Sequence, residues 1–407
     1  MGKSKRVALG MSGGVDSSVS VEILKRAGYD VVGVTCVFQE GESSYAASRD
    51  AADVCRRMGV FHVVRDCTAL FDEQVVRPFV QGYASGLTPS PCVGCNANAK
   101  FPSLLAAADD LGCDLVATGH YARIVRLRET EPEQEPKSKS VSGSGPAPEQ
   151  EQEQEQESKQ KQEQKQKQEQ EQEQKQEQEQ EQKPAPQRYA VMAALDARKD
   201  QSYMLAMLTQ EQLSRIVFPL GAMTKAEVRI IATDLGLEVA DKPESQDVCF
   251  IDGDYRPFLH ARGFTDVPGP IVNGRGKVLG HHEGLSNYTV GQRKGIGVSG
   301  PEPYYVVGKR VEDHALVVGC ASEAKISAVV VENANWQAVP SLAKPCEAMV
   351  KLRYRSAPAA CVIEPLGNGH VLVRLRSPQP TTAPGQYAVF YMGATVLGGG
   401  MIEEVRA

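Results

Sequence analysis

Two thiols, Cys92 and Cys95, are separated by only two residues in Thr88-Pro-Ser-Pro-Cys92-Val-Gly-Cys95-Asn96. The prolines stiffen this segment, and Asn96 is placed to cap the helix-like run that follows. A thiol at a helix N-terminus has a lowered pKa and is more nucleophilic at neutral pH. A third thiol, Cys249, stands in the polar stretch Glu244-Ser-Gln-Asp-Val-Cys249-Phe. A structural zinc site would need four ligands, and the chain offers no second short-spaced Cys or His pair, so nucleophilic or redox chemistry is the first expectation. Cys36, Cys55, Cys67, Cys113, Cys320, Cys346 and Cys361 fall in apolar or helical runs and read as core or incidental residues.

A second chemical signal is Ser12-Gly-Gly-Val-Asp-Ser-Ser18, between a strand-like Val7–Leu9 and a helix beginning near Asp16. Two glycines let the backbone approach a phosphate, and Ser12, Ser17 and Ser18 offer hydroxyl donors. The positive end of the helix favours an anion. Asp16 is placed to cap that helix or to help hold Mg²⁺. No Gly-Lys-Ser/Thr follows at Walker A spacing.

The elements that must hold these residues read as a doubly wound α/β domain with a mostly parallel sheet. Strands are expected at Val7–Leu9, Val31–Val37, Phe61–Val64 and Leu115–Thr118. Helices are expected at Asp16–Ala27, Ser43–Met58, Thr68–Ser85 with an interruption at Pro78, and Asn96–Leu111. Val34 to Cys36, at the end of the second strand, would lie near an adenine. A strand resumes at Arg188–Ala193, and Thr224-Lys-Ala-Glu227 is a capping box opening a helix that ends at Gly236. Past about residue 253, Gly and Pro punctuate short alternating runs such as Val371–Leu375, Tyr387–Tyr391 and Met401–Val405, the pattern of small antiparallel sheets or barrels. The expected domains are 1–252, a small central β-rich domain over 253–310, and a C-terminal β-barrel over 311–407.

Composition sets the outer bounds. The chain of 407 residues is 24% charged and 41% hydrophobic, enough for two or three domains and too much for a small stapled scaffold. No apolar run reaches 18 residues, and no hydrophobic leader precedes Val7, so a cytoplasmic protein without membrane attachment is expected. The net charge of −6 is uneven: residues 129–187 hold 16 Glu and 8 Lys, leaving 35 acids against 37 bases elsewhere. That near-neutral body permits a nucleic-acid partner without demanding one. The segment 129–187 itself is low-complexity, with Gln alternating with Glu or Lys from Glu149 to Lys183. Apart from Val141, Ala147, Ala185 and its prolines it has no apolar residues to offset ordering, so a disordered, deletable insertion is expected.

The phosphate loop resembles that of the ATP pyrophosphatase (PP-loop) superfamily, which cleaves ATP to AMP and pyrophosphate while adenylating a substrate oxygen. Taken with Thr88–Phe101, Ala117–Arg123, Lys199–Tyr203, Glu244–Phe250, Gly291–Gly295 and Arg353-Tyr-Arg355, the chain resembles the tRNA-specific 2-thiouridylase family over its whole length except the insertion. The resemblance implies a three-domain enzyme that sulfurates the wobble uridine of tRNA. ATP with Mg²⁺ would adenylate the C2 oxygen, and a cysteine persulfide would then replace the activated oxygen. By position, Cys95 corresponds to the nucleophile and Cys249 to the persulfide carrier, with a transient disulfide between them and Asp16 in the catalytic set. Gly10, Met11, Ser12, Gly13, Gly14, Val15, Asp16, Ser17, Cys36 and Gly119 correspond to ATP-binding positions. Ser90, Pro91 and Cys92 would face the target base. His120, Lys199, Asp200, Gln201, Arg353, Tyr354 and Gln386 would contact tRNA, Lys199 and Arg353 suiting phosphates and Tyr354 an unpaired base. The implied partners are tRNA and a cysteine desulfurase or sulfur-relay protein, with the chain acting as a monomer.

Two departures matter. Cys92 stands where many members carry Asp, so Cys92, Cys95 and Cys249 could instead ligate a [4Fe–4S] cluster whose fourth iron carries sulfide. Cys36 stands where Met is common. Two rival functions account for less: another PP-loop ligase leaves the three cysteines unexplained, and a non-enzymatic RNA-binding iron–sulfur protein leaves the phosphate loop unexplained.

Overall fold

The computed structural model describes residues 4–128, 187–237, 248–251 and 253–407, of which those up to 126 and from 189 onward pack as one unit. The insertion expected over 129–187 lies outside the described residues except for Gln187, and so do Glu244 to Asp247 beside Cys249.

The first strands are β1 (Arg6–Gly10), β2 (Asp30–Val37), β3 (Phe61–Asp66), β4 (Leu115–Ala117), β5 (Ala122–Arg128), β6 (Gln187–Ala193) and β7 (Ile216–Val217). Five of them form a sheet in the order β3-β2-β1-β4-β7, parallel throughout. Helices cover both faces of such a sheet, so its central strands are apolar along their length: Val7, Ala8 and Leu9 of β1 are fully buried. The order reverses at β1, between β2 and β4, which opens a crevice at the carboxyl ends of the strands. Helix Val15–Arg26 follows β1 directly and helix Glu42–Arg57 follows β2. Strand β6 forms where expected but joins the barrel sheet, pairing with its last strand, and takes no part in the parallel sheet.

Two helical runs depart from expectation in an informative way. Thr68–Ala84 is continuous, with a π-helical turn at Asp72–Val76, and Pro78 sits without a break in the first turn after it. Pro91–Cys95 is already helical and passes through a second π turn, Asn96–Lys100, into Phe101–Asp110. Asn96 therefore lies inside a helix and caps nothing; its side-chain amide donates to the Met204 carbonyl at 3.0 Å. The capping box at Thr224 forms as read, with both reciprocal bonds present.

The middle sheet comprises β8 (Gly269–Asn273), β9 (Val278–His282), β10 (Tyr305–Arg310) and β11 (Ala315–Gly319), in the order β10-β11-β8-β9. It therefore reaches past the break expected at residue 310. The last strands are β12 (Lys325–Trp336), β13 (Cys346–Lys351), β14 (Ala359–Gly367), β15 (His370–Pro380), β16 (Tyr387–Met392) and β17 (Thr395–Arg406). They run β12-β15-β14-β13-β16-β17, and β12 pairs with β17 to close a six-stranded antiparallel barrel. Closure removes the free edges, and Val329, Ile363, Val373 and Phe390 fill the interior.

Candidate active site

Gly13 adopts φ +69°, and a Cβ built there would lie 2.6 Å from the Ala47 carbonyl oxygen, so the loop after β1 requires glycine at that point. Gly14 is the extended residue before the helix, and no side chain caps the first amides. Those amides and the helix dipole face the crevice, where an anion would be stabilised. Ser12 and Ser17 hydroxyls lie 3.2 Å apart at its mouth, whereas the buried Ser18 donates its hydroxyl to the Gly14 carbonyl at 2.8 Å. Asp16 corrects the reading of it as a cap. Its Oδ1 accepts from Lys225 Nζ at 2.7 Å and from the Tyr121 hydroxyl at 2.9 Å, which pins the helix to the element that opens at Thr224.

A cavity of about 440 Å³ opens in this crevice, a size that suits a nucleotide. Gly10, Met11, Ser12, Asp16 and Ser17 line one side, with Gly119, His120 and Gln201 at the end of β4 and beyond. Val34 to Cys36 line another, and Lys100 and Cys249 complete it. The expected adenine-side and phosphate-side residues thus face one space, and a cysteine that the chain carries more than two hundred residues later joins them.

The cysteine helix is held from several directions. Thr88 N–H donates to the Pro384 carbonyl at 2.9 Å, Ser90 N–H to Gly385 at 3.3 Å, and Gln386 Nε2 to the Thr88 carbonyl at 2.8 Å. The barrel therefore grips the proline-stiffened segment that carries the thiols. Cys95 is 8% exposed and Cys92 half-buried. Burial pushes Cys95 up to about 11 and raises Cys92 as well, against the expectation that a helix N-terminus would lower them. Desolvation of a thiolate outweighs the short helix dipole here. Cys249 is exposed, so reagents can reach it, yet its thiol too is raised by the protein packed around it. The negative form of Cys249 raises both Cys92 and Cys95, which places the three thiols near one another. In each case the ammonium of Lys100 works the other way.

A second thiol pair, not foreseen, lies on the same sheet. Cys36 on β2 hydrogen-bonds Cys67 just beyond β3, which lowers Cys67 to about 6, while that bond and burial push Cys36 strongly up.

The residues expected to contact tRNA fall into two sets. Ser90, Pro91 and Cys92 are half-buried, and Cys92 feels the charge of Cys249, which lines the cavity. His120 lines the cavity itself, stacked on Phe101 with ring centroids 5.9 Å apart, and burial keeps it neutral. Gln201 accepts from Tyr121 N–H at 2.9 Å, and Asp200 accepts from Ala194 N–H and the Ser202 hydroxyl, so both shape the loop that also carries Lys199. Arg353 Nη2 donates to the Val290 and Thr381 carbonyls, joining the middle domain to the barrel. Tyr354 donates to the Asp200 carbonyl at 3.3 Å and leans on Tyr203. Sequence reasoning missed Tyr121, Lys225 and Lys100. Each lay inside a segment already singled out, but nothing local told which way its side chain would point.

The fold and loop define an ATP-using α/β enzyme of the PP-loop class that carries two further β domains. Residues 5–168 and 175–253 match the tRNA methyl transferase HUP domain, residues 256–320 the tRNA methyl transferase PRC-barrel domain, and residues 326–402 the aminomethyltransferase beta-barrel domain. The tRNA-specific 2-thiouridylase MnmA of Trichormus variabilis is 38% identical over 98% of this chain and 99% of its own. That of Heliobacterium modesticaldum is 40% identical over 97% and 92%. Among solved structures, a predicted subunit of tRNA methyltransferase from Methanocaldococcus jannaschii covers 28% of this chain and 52% of its own at 23% identity. Its TM-score of 0.22 is too low to bear on fold or function. The chain belongs to the tRNA-specific 2-thiouridylase family.

Proposed function

We propose that this chain is an ATP-dependent tRNA sulfurtransferase that converts the wobble uridine to 2-thiouridine through a persulfide on Cys249. The observation that carries the reading is a single cavity lined by both the phosphate loop and Cys249, with Cys92 and Cys95 alongside. A methyl transfer, which the names of two matching domains imply, would use neither the phosphate loop nor the thiols.

The uridine C2 oxygen attacks the α-phosphorus of Mg²⁺-bound ATP and pyrophosphate departs. The terminal sulfur of the Cys249 persulfide then attacks C2, and the C2–O bond breaks, releasing AMP with the former uridine oxygen. Cys95 attacks Cys249 Sγ, freeing the thiocarbonyl and leaving a Cys95–Cys249 disulfide. An external thiol reductant reopens it, and a desulfurase or relay protein supplies the next persulfide sulfur. Adenylation is needed because an amide-like oxygen is a poor leaving group, and a persulfide is a strong nucleophile at neutral pH. Ser12, Ser17 and the first helix amides hold the polyphosphate, Asp16 fixes the helix by its bonds to Lys225 and Tyr121, and Val34 to Cys36 flank the base.

A [4Fe–4S] cluster is the alternative sulfur carrier. Among the described residues, no three His, Cys, Asp or Glu side chains gather as a metal-holding set, even though Cys92, Cys95 and Cys249 sense one another's charge. No step is routed through it.

The test is tRNA-dependent formation of 2-thiouridine and pyrophosphate by the full-length protein with a persulfide donor, read by nucleoside mass spectrometry. Pyrophosphate release with a small acceptor and no tRNA would point to a ligase instead. About four irons per anaerobically purified chain, lost in Cys92→Ala, would overturn the persulfide route.

A further inference from the structure

Among the described residues that line the nucleotide cavity, Lys100 is the single lysine or arginine and Asp16 the single carboxylate. Asp16 is already engaged by Lys225 and Tyr121. Lys100 has no carboxylate partner among the described residues, and among them it is the ammonium that the cavity wall presents to whatever enters. Its backbone is fixed at the end of the π turn Asn96–Lys100, where its N–H donates to Cys95 Sγ. Such a turn inserts an extra residue into a helix, and here it separates the thiol from the cation by five residues.

We infer that Lys100 binds the α-phosphoryl group of the nucleotide and stabilises AMP as the leaving group of sulfur transfer, an inference that rests on the adenylating reaction proposed above. The polyphosphate end of ATP goes to the loop after β1, whose serines and amides are already aimed at it. The α-phosphate lies between that end and the adenosine, which places it toward Lys100 and the thiols. When the C2–O bond breaks, the phosphate passes from a singly charged diester-like group to the more negative AMP monoester. A fixed cation beside it lowers the barrier because the charge develops where the ammonium already stands. The reach of Lys100 agrees with this position: its charge is felt by Cys36 on the base side, by His120 beyond β4, and by Cys92, Cys95 and Cys249 on the sulfur side. One ammonium thus stands at the junction of the two half-reactions.

The experiment compares adenosine, AMP and pyrophosphate binding to the full-length protein by calorimetry, without tRNA. Lys100→Met should weaken AMP by about tenfold, the loss of one charge-assisted bond, and leave adenosine and pyrophosphate within about twofold. Lys100→Arg should restore most of the AMP affinity. An unchanged AMP affinity in Lys100→Met would overturn the inference, as would a loss confined to pyrophosphate. Equal weakening of adenosine and AMP without rescue by Arg would reduce Lys100 to a structural role. A wild-type chain that binds neither adenosine nor AMP would sink the nucleotide reading itself, an outcome separate from these.

Discussion

The two walls of the cavity are built by opposite routes. The phosphate wall comes from one β-loop-helix unit, Arg6 to Arg26, closed by internal bonds such as Ser17 and Ser18 hydroxyls to the Gly14 carbonyl. The sulfur wall is assembled from three stretches of chain. Cys92 and Cys95 sit on a helix held by barrel residues Pro384 to Gln386 and by Met204, and Cys249 arrives from beyond the helix that ends at Asp234. A locally built wall depends on its own backbone, whereas an assembled wall depends on every domain that grips it. Nucleotide binding and sulfur transfer should therefore come apart under mutation.

The sharpest separation is at the thiols. Cys95→Ala and Cys249→Ala should each lower 2-thiouridine formation by at least about 1,000-fold, since a lost nucleophile has no substitute. Adenosine affinity, measured on the same proteins, should stay within about twofold. A parallel loss of both would show that the walls are one structural unit.

Asp16→Ala attacks the other wall. It should abolish turnover and lower unfolding free energy by about 2–3 kcal/mol in urea, the low side for breaking a buried pair because Asp16 is 30% exposed while Lys225 is 9% exposed. Full stability and substantial activity would remove Asp16 from its assigned role.

Gly385→Ala probes the grip from a distance. Gly385 adopts φ +88°, and a Cβ there would lie 3.0 Å from Leu87 Cβ, so the loop ahead of Cys92 must shift. We expect about 1–2 kcal/mol of destabilisation and a several-fold drop in thiolation, with adenosine affinity unmoved. An unchanged thiolation rate would mean that the barrel does not position the thiols.

The thiols also differ in their response to pH. Cys67, lowered to about 6, should alkylate at pH 7 about 30- to 90-fold faster than Cys95, and its rate should level off above pH 7. Cys95, raised to about 11, should instead gain about tenfold per pH unit through pH 9, because its thiolate fraction keeps growing. Peptide-resolved iodoacetamide labelling reads both slopes, and equal rates would contradict the environments described. The smallest effect belongs to the insertion: removing Glu149–Lys183, a run without apolar side chains, should leave both binding and thiolation as they are.

Much of the fold was legible because its signals are local. The first four strands of the parallel sheet, the capping box at Thr224 and the β texture past residue 253 each follow from hydrophobic period, caps and turn residues within about ten positions, whereas the two-residue β7 carries no such signal. The misreadings share a cause as well. Asn96 looks like a cap, but Pro91 starts the helix earlier and the Met204 carbonyl takes the Asn96 amide, a contact more than a hundred residues away. Burial, equally non-local, turned the expected low pKa of Cys95 into a high one.

The sequence by itself determined that a glycine- and serine-rich loop would end β1 at a helix N-terminus, that three cysteines would stand apart from the rest, and that a parallel sheet would precede β domains. Only the tertiary structure decided that Asp16 answers to Lys225, that the barrel grips the cysteine helix, and that Lys100 is the cation facing the cavity. Backbone conformation is set by neighbours along the chain, while the partner of a charge is set by whichever distant segment packs against it, and that choice is made only when the elements dock.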